Sequence, residues 1–545
     1  MLKRLYTSWP EKISLFANNG QGHDGLIVFA KLHLSSFTIT DFILSAVLKC
    51  CGRVSAIREG SQLHCIVIKH GYHRDNIVMT SLVDMYSKCD RIGNARQAFD
   101  EMPVRDAIAA GAMVFGLCQC GLTWEAATLF EEARFKDVAL WNSLISGLFL
   151  NFEGEKALCY FRRMRLCGEK VDEITMVGVL SGCADMAALS NGRQVHGLVI
   201  KNGFGLYLPV GNALLDMYAK CGFMDDACVC FDSLPYKNVV SWTSLIMGFG
   251  KHGLGSSALE AFDRMEIEGY APNKITFVGV LFACCHSGLV DEGWKCFNNM
   301  ISRYSITPIM EHYTCMVDLL ARAGFLEEAF EFIERMPVNP DARLLTALLS
   351  SCFYHKNTEL TRNIGNKLLD LEPKEAGPYM LLSNFYGLLG DFEGVAKVRR
   401  LMHKRGIRKE KAYTWIEIDK RIHRFESGDR SHPLYKSIYA YLSELVAKMR
   451  TKGYVPNKSV VVQSVDEHAK EEILLGHSEK LAIALGLISM PPGSRITIVK
   501  NLRVCVDCHE AIRIISLIEG REIVARDHSR FHRFKNGECS CGNRW

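Results

Sequence analysis

From residue 41 the chain repeats itself, and a repeat of this length leaves few folds open. Gly60-Ser-Gln62-Leu-His64 through Ile68-Lys69-His-Gly71 returns 132 residues later as Gly192-Arg-Gln194-Val-His196 through Ile200-Lys201-Asn-Gly203. Asp84-Met-Tyr86-Ser-Lys88-Cys89 returns at the same offset as Asp216-Met-Tyr218-Ala-Lys220-Cys221. Trp141-Asn-Ser-Leu144-Ile145 recurs after 101 residues as Trp242-Thr-Ser-Leu245-Ile246. These offsets decompose into units of 31 and 35 residues, which cut the tract at 41–75, 76–106, 107–137, 138–172, 173–207, 208–238, 239–273, 274–309 and 310–341. Each unit carries two apolar patterns at helical spacing, broken by Gly or Lys-Cys-Gly. Each ends near a turn, as at Met102-Pro103, Leu234-Pro235 and Met336-Pro337. A hairpin this small cannot bury its apolar face alone, whereas stacked hairpins share one continuous core. The expected fold class is therefore mostly α, a superhelical α-solenoid with a long concave groove. On architecture alone, a protein-binding scaffold explains such an array at least as well as any other function.

The segment from His477 to Trp545 breaks the repeat and carries the chemistry. It holds His477-Ser478-Glu479, then Cys505-Val506-Asp507-Cys508-His509, then His532, Cys539 and Cys541. A His, a Glu two residues on and a later C-x-x-C is the ligand pattern of the zinc nucleobase deaminases. In that chemistry one His and two Cys hold Zn²⁺ and leave a fourth position for water, whose pKa the metal lowers toward neutrality. The carboxylate beside the ligand shuttles the proton from water to the leaving amine. Two other readings of these residues stand beside this one. Cys505-x-x-Cys508-His509 also fits c-type haem attachment, which leaves His477, Glu479 and the Cys539/Cys541 pair unexplained. A closed structural zinc, with Glu479 a surface residue, is the other.

Charge and cysteine usage matter once they are located. The net charge of +5 lies wholly in residues 412–545, which hold 21 Lys/Arg against 16 Asp/Glu, while the rest balances at 44 of each. That excess is compatible with a polyanionic substrate. Of 21 cysteines, 17 fall at or before Cys352, mostly within apolar helical patterns where a free thiol serves as a small core residue. This usage implies a reducing compartment. No run of eighteen apolar residues occurs, so no membrane span or membrane partner is expected. Length alone suggests about three or four domains. Residues 1–40 are weakly patterned: Lys3, Arg4, Thr7 and Ser8 fit an organellar transit peptide, Glu11 counts against it, and a decayed repeat is the alternative.

With these motifs in hand, the chain resembles the plant pentatricopeptide repeat proteins of the PLS type, in which P, L and S units alternate over 41–341. Residues 342–411, with Ala347-Leu-Leu349, Lys367-Leu-Leu-Asp-Leu-Glu-Pro373 and Leu381-Leu-Ser383-Asn384, resemble the two E motifs that follow such arrays. Residues 412–545 resemble the DYW deaminase domain through Gly428-Asp-Arg430-Ser-His-Pro433, His477-Ser-Glu-Lys-Leu-Ala482 and Val499-Lys-Asn-Leu-Arg503. The resemblance implies a right-handed α-solenoid and, behind it, an α/β, zinc-dependent cytidine-deaminase-like domain. It implies site-specific C-to-U editing of single-stranded organellar RNA, with accessory editing proteins as further partners. The start, with Lys3, Arg4, Thr7 and Ser8, points to the mitochondrion as that organelle, with the chloroplast as alternative. Two rivals remain open: a binding factor whose deaminase domain is silent and which recruits a catalytic partner, and an RNA processing or stability factor.

The resemblance also assigns residues. His477, Cys505 and Cys508 hold the catalytic zinc, Glu479 is the proton shuttle, and His509, His532, Cys539 and Cys541 make a second, structural zinc site. In each repeat the fifth and last residues read one base by hydrogen-bond matching. Thr80 with Asp106 resembles a G-preferring pair, Asn142 with Asp172 a U-preferring pair, and Asn212 with Asn238 a pyrimidine pair. Thr243 with Asn273 resembles an A-preferring pair, and Thr314 with Asp341 is again G-preferring. Gly111, Ser45, Val177 and Val278 stand at fifth positions that are assigned no base. The expected target reads G, any, U, any, Y, A, any, G, with the last G about four nucleotides upstream of the edited C. The plain alternative for any one such Asn or Thr is a helix-start residue capping an orphan amide. The chain departs from the family pattern at its end, Asn543-Arg544-Trp545, and at Ala412-Tyr413-Thr414, where a Pro-Gly pair is expected before Trp415. Val504 stands where many deaminases have Pro.

Overall fold

A computed structural model describes residues 9–34, 39–409, 411–458, 461 and 465–542. Lys3, Arg4, Thr7, Ser8 and the terminal Asn543-Arg544-Trp545 lie outside the described residues. The chain divides into two compact units, Met1–Met186 and Ala187–Trp545. In the first, the helices Asp41–Arg53, Asn76–Lys88, Ala107–Gln119, Val138–Leu150 and Glu173–Asp185 pack in succession. A second helix follows the earlier ones, such as Ile92–Asp100, which is shorter than its partner, or Gly154–Leu166, which is equal to it in length. Residues 9–34 add a further hairpin, Trp9–Asn18 and Gly22–Leu34, packed on Asp41–Arg53.

The unit cuts fall where helix chemistry demands a boundary. Asp106, Asp137 and Asp172 are the last residues of their units, and each is the N-cap of the next first helix. Their Oδ1 atoms accept the backbone N–H three residues on, at 2.9, 2.8 and 2.7 Å. Each such cap satisfies one of the four amides a helix start leaves orphaned, a contribution of about 1 kcal/mol. Asn238, Asn273 and Asp341 do the same in the second unit.

That second unit continues the pattern through the helices Leu208–Lys220, Val239–Lys251, Lys274–Ser287, Met310–Arg322, Ala342–Tyr354 and Ala376–Leu388, each packed on the next. The recurrence in sequence is a recurrence of contacts. His64 Nδ1 lies 3.0 Å from the Tyr86 hydroxyl, and 132 residues later His196 Nδ1 lies 2.9 Å from that of Tyr218. Phe130 meets Trp141 edge-on with ring centroids 4.6 Å apart, and Phe231 meets Trp242 at 4.7 Å. Both indoles are buried, so each pair seals the core between neighbouring hairpins.

The C-terminal domain is built on one sheet of order β2-β1-β3-β4-β5-β6. The strands are β1 (Tyr413–Ile418), β2 (Arg421–Glu426), β3 (Ile496–Lys500), β4 (Ile523–Arg526), β5 (Phe531–Lys535) and β6 (Glu538–Cys539). Strands β3 and β4 are parallel and joined through the helix Val506–Glu519; the other pairings are antiparallel. The expected α/β character is thus present. The helices Tyr435–Thr451, Ser478–Ser489 and Val506–Glu519 share one buried core with the sheet, including Leu442, Ile483, Ile498, Ile512 and Phe534. This core fixes the starts of Ser478–Ser489 and Val506–Glu519, where the candidate ligands sit. Among the described residues no helix is long and apolar enough to cross a membrane.

Candidate functional site

His477 is the N-cap of Ser478–Ser489, and Cys505 is the N-cap of Val506–Glu519. Two helix N-termini therefore converge, and their partial positive charge favours thiolate over thiol. The ligand atoms of His477, Cys505 and Cys508 lie within 4.8 Å of one another. His477 Nδ1 is 3.3 Å from Cys508 Sγ and 3.5 Å from Cys505 Sγ. A tetrahedral zinc with ordinary Zn–S and Zn–N lengths needs about 3.6 Å between such donors, so the set fits that ion. The Cys505 thiol is held well below its ordinary pKa by hydrogen bonding from Cys508, reinforced by His477. His477 and Cys505 are partly exposed and only Cys508 is buried, so this set reaches the surface.

Glu479 is fully buried beside it. That placement removes the reading of Glu479 as a surface residue. Its Oε1 pairs with Lys500 Nζ at 2.6 Å, and its Oε2 accepts from Ser478 Oγ at 3.1 Å. Ser478 Oγ in turn meets Thr414 Oγ1 at 2.9 Å. Burial pushes the Glu479 carboxyl up, but Lys500 and His477 outweigh it and hold the group below the ordinary carboxylate range. The carboxylate is thus kept ionised, fixed and away from bulk water.

The second set, His509, His532, Cys539 and Cys541, also lies within 4.8 Å, and three of its four members are buried. His509 Nε2 is 3.2 Å from Cys541 Sγ, and His532 Nδ1 is 3.8 Å from Cys539 Sγ. Four N/S donors with little solvent access suit a closed site.

The repeat positions are placed as follows. Asn142 Nδ2 donates to Asp172 Oδ1 at 3.3 Å, so this pair is joined directly. Thr243 Oγ1 lies 2.9 Å from Thr276 Oγ1, which itself donates to Asn273 Oδ1. The structure brings these two pairs into one network each. Thr80 is half-buried, with Asp106 engaged in its cap. Asn212 Oδ1 is buried without a hydrogen-bond partner among the described residues, and Asn238 caps Val239–Lys251. Thr314 Oγ1 donates to the Met310 carbonyl at 2.9 Å, and Asp341 caps Ala342–Tyr354. Capping thus accounts for one acceptor oxygen at every one of these last positions.

Comparison with known proteins adds the family. The description "PPR repeat" matches residues 77–106, 109–138, 139–169, 212–239, 275–304 and 311–339, and "PPR repeat family" matches 237–286. The E motif matches 355–417, the E+ motif 422–449, and the DYW family of nucleic acid deaminases 453–545. The pentatricopeptide repeat-containing protein ELI1, chloroplastic, of Arabidopsis thaliana is 41% identical over 97% of this chain and 83% of its own length. The chain belongs to the pentatricopeptide repeat protein family. DOT4, chloroplastic, from the same plant is 36% identical over 100% of this chain and 71% of its own. At3g13770, mitochondrial, is 36% identical over 100% and 82%. The crystal structure of the pentatricopeptide repeat protein PPR10 in complex with an 18-nt psaJ RNA element aligns over 73% of this chain and 60% of its own, at 16% identity and a TM-score of 0.48.

In this pentatricopeptide repeat protein several site residues escape a reading of the sequence. The E+ segment, read from sequence as part of the deaminase domain, supplies β2 and the helix Tyr435–Thr451 to the same sheet and core. Lys480 Nζ pairs with Asp507 Oδ2 at 2.6 Å and also donates to the Tyr454 hydroxyl at 3.1 Å and the Leu474 carbonyl at 2.9 Å. This network ties the helix behind His477 to the residue between Cys505 and Cys508. Asp527 Oδ2 lies 3.5 Å from His532 Nε2, the ring nitrogen remote from Cys539, and its carboxyl is held well down despite burial. A carboxylate so placed orients a ligating imidazole. The same oxygen accepts from the Val504 amide at 3.4 Å, a donor that Pro at this position lacks. Lys480 at the start of the apolar run 481–485 and Lys500 at the end of 496–499 stand at the edges of buried segments, which is the signal the sequence offers that they are buried.

Proposed function

We propose that this chain is an organellar RNA editing factor, which binds single-stranded RNA through its repeats and converts one cytidine to uridine. The observation that supports this most is the fully buried Glu479, paired with Lys500, beside a His/Cys/Cys set that reaches the surface. Among the described residues the Glu479 carboxylate bonds Lys500 and Ser478 rather than a ligand side chain, so it does not orient a ligand as Asp527 orients His532, and a purely structural site gives it no task. His477, Cys505 and Cys508 would hold zinc, which when bound supplies the Lewis acidity that lets a water lose its proton near neutral pH. Glu479 takes that proton on a carboxylate oxygen and passes it to the departing amine, so that cytidine and water become uridine and ammonia. Lys500 holds the carboxylate in place from the protein side, and Ser478 fixes its second oxygen.

His509, His532, Cys539 and Cys541 would hold a second zinc that ties down the last strand, with Asp527 orienting His532. In this reading 1–40 is an N-terminal segment, 41–341 the repeat tract, 342–411 the E motifs and 412–545 the deaminase domain. The repeat pairs from Thr80/Asp106 to Thr314/Asp341 read the bases assigned to them by resemblance. The relatives named chloroplastic and mitochondrial support an organelle without choosing between the two. Glu479→Ala is the test: editing of the target cytidine is lost while RNA affinity and zinc content stay unchanged. Undiminished editing by that variant supports instead a binding factor that recruits another catalyst.

A further inference from the structure

The deaminase domain is not only joined to the end of the repeat tract; it rests on it. Its contacts fall on hairpin turns and helix ends, and they match the sign of each. The carboxylate of Glu417 on β1 accepts from the Ser190 amide at 3.2 Å, at the N-terminus of the helix Leu189–Lys201. Arg526 Nη1 on β4 donates at 3.1 Å to the Lys220 carbonyl, at the C-terminus of Leu208–Lys220. Arg495 Nη2 donates at 2.8 Å to the Gly222 carbonyl in the turn that follows, and its guanidinium lies 4.6 Å over the Phe223 ring. Helix N-termini attract anions and C-termini attract cations, so all three contacts have the favourable polarity.

The next repeat presents the same turn. His252, which follows Val239–Lys251, stacks on Phe531 of β5 with ring centroids 4.2 Å apart and planes 13° from parallel. Gly222 has φ +87°, open to glycine at little cost, and a Cβ there would lie 2.7 Å from Arg495 Nη2 and 3.3 Å from Phe531. Further along, Arg503 lies within electrostatic reach of Asp318 and Arg322 on Met310–Arg322. Three successive hairpins therefore touch one face of the deaminase domain, and a later one lies within electrostatic reach of it.

We propose that this face is a dock, in which Glu417, Arg495, Arg526 and Phe531 seat the deaminase domain on the turns of the repeats, and that it determines which nucleotide the catalytic site reaches. A domain held only by its covalent connection sweeps a range of positions along the bound strand. A domain seated on fixed turns reaches one. The consequence for RNA rests on the reading of the chain as an editing factor, whereas the contact itself does not.

The test uses the full-length chain with the double variant Arg495→Glu/Arg526→Glu and, independently on the repeat side, His252→Ala. Hydrogen exchange at residues 219–223 and 251–254 is measured without RNA. At least tenfold faster exchange in both variants, with zinc content unchanged, supports the dock; unchanged exchange in the double variant overturns it. RNAs carrying a single 4-thiouridine, moved stepwise past the last recognised base, are then cross-linked by ultraviolet light. The native chain should give cross-links within 413–542 at one offset, and the double variant at several. A single unchanged offset in a variant with fast exchange overturns the role in choosing the nucleotide. Because cross-linking needs no turnover, a native chain that binds RNA without editing refutes the editing reading and leaves the dock decided.

Discussion

Replacing Lys480 by Met removes the cation that joins the two helices carrying the candidate ligands. Lys480 is 2% exposed and Asp507 1%, so neither charge has water to fall back on. Breaking a buried ion pair by deleting one partner costs about 3–5 kcal/mol, because the survivor is left buried and uncompensated. Asp507 Oδ1 retains the Tyr454 hydroxyl at 2.8 Å and the Asn457 amide at 2.9 Å, which places the cost at the lower end, about 3 kcal/mol. That is roughly a hundredfold in the population of the unfolded domain. Asp507→Leu alone should cost a similar amount, by stranding the ammonium. The double variant Lys480→Met/Asp507→Leu should recover at least about 2 kcal/mol of the summed loss, since neither charge then remains. The assay is hydrogen exchange within 413–542 as urea is raised, with zinc counted per chain before unfolding. The single variants should also lose metal, because Asp507 lies between the two cysteines of the C-x-x-C. Strictly additive losses, or single variants that keep both native stability and full zinc, would falsify the view that this pair aligns the ligand helices.

Other outcomes follow from features already described. Cys541→Ser should lower zinc from two per chain to one and destabilise β5 and β6, measured by metal analysis and hydrogen exchange; retention of two zincs removes the four-ligand site. Burial holds His252 down to about 4 and His286 to about 3. Both folded values lie below the unfolded value of about 6.5, so the stability they confer is complete above that pH and is lost as pH falls toward the folded values. Each should subtract about 1 kcal/mol by pH 5.5, read as a fall in the urea midpoint that His252→Ala reduces. Asn142→Thr converts the pair with Asp172 into the kind formed by Thr80 and Asp106, and should shift the preferred third base from U to G by roughly five- to tenfold in affinity. Trp242→Ala should cost about 3–5 kcal/mol by opening a cavity beside Phe231, seen as an early unfolding step of the repeats.

Much of this architecture is legible in the chain because its determinants are local. A helical hairpin that recurs announces itself through spacing, and the boundary residues Asp106, Asp172 and Asn273 carry their own reason for being there, since each satisfies an amide three residues away. The two clusters that could hold a metal are legible for a similar reason: C-x-x-C on a helix start and His-x-Glu on another hold their geometry within one turn. What the sequence hides is every relation between distant segments. Nothing near Lys480 indicates that its partner is Asp507, and nothing near Lys500 points to Glu479. Arg495 and Arg526 look like ordinary surface arginines until the turns at Gly222 and Lys220 are seen under them. Thr414, conspicuous only as a departure from the family pattern, proves to be one hydroxyl removed from the buried Glu479 carboxylate. A capping oxygen and an oxygen proposed to read a base also look identical in sequence, because the same side chain would supply both.

That last coincidence has an engineering consequence. If the terminal residue of a repeat must first start the following helix, its vocabulary is restricted to short side chains bearing an oxygen, whatever nucleotide is wanted. Asp, Asn, Ser and Thr pass; Ala, Val or Lys forfeit about 1 kcal/mol at every junction where they are installed. Rewriting five junctions with such residues would remove about 5 kcal/mol, a large share of what holds a domain together. Reprogrammed arrays should therefore vary the fifth residue freely and the final one sparingly.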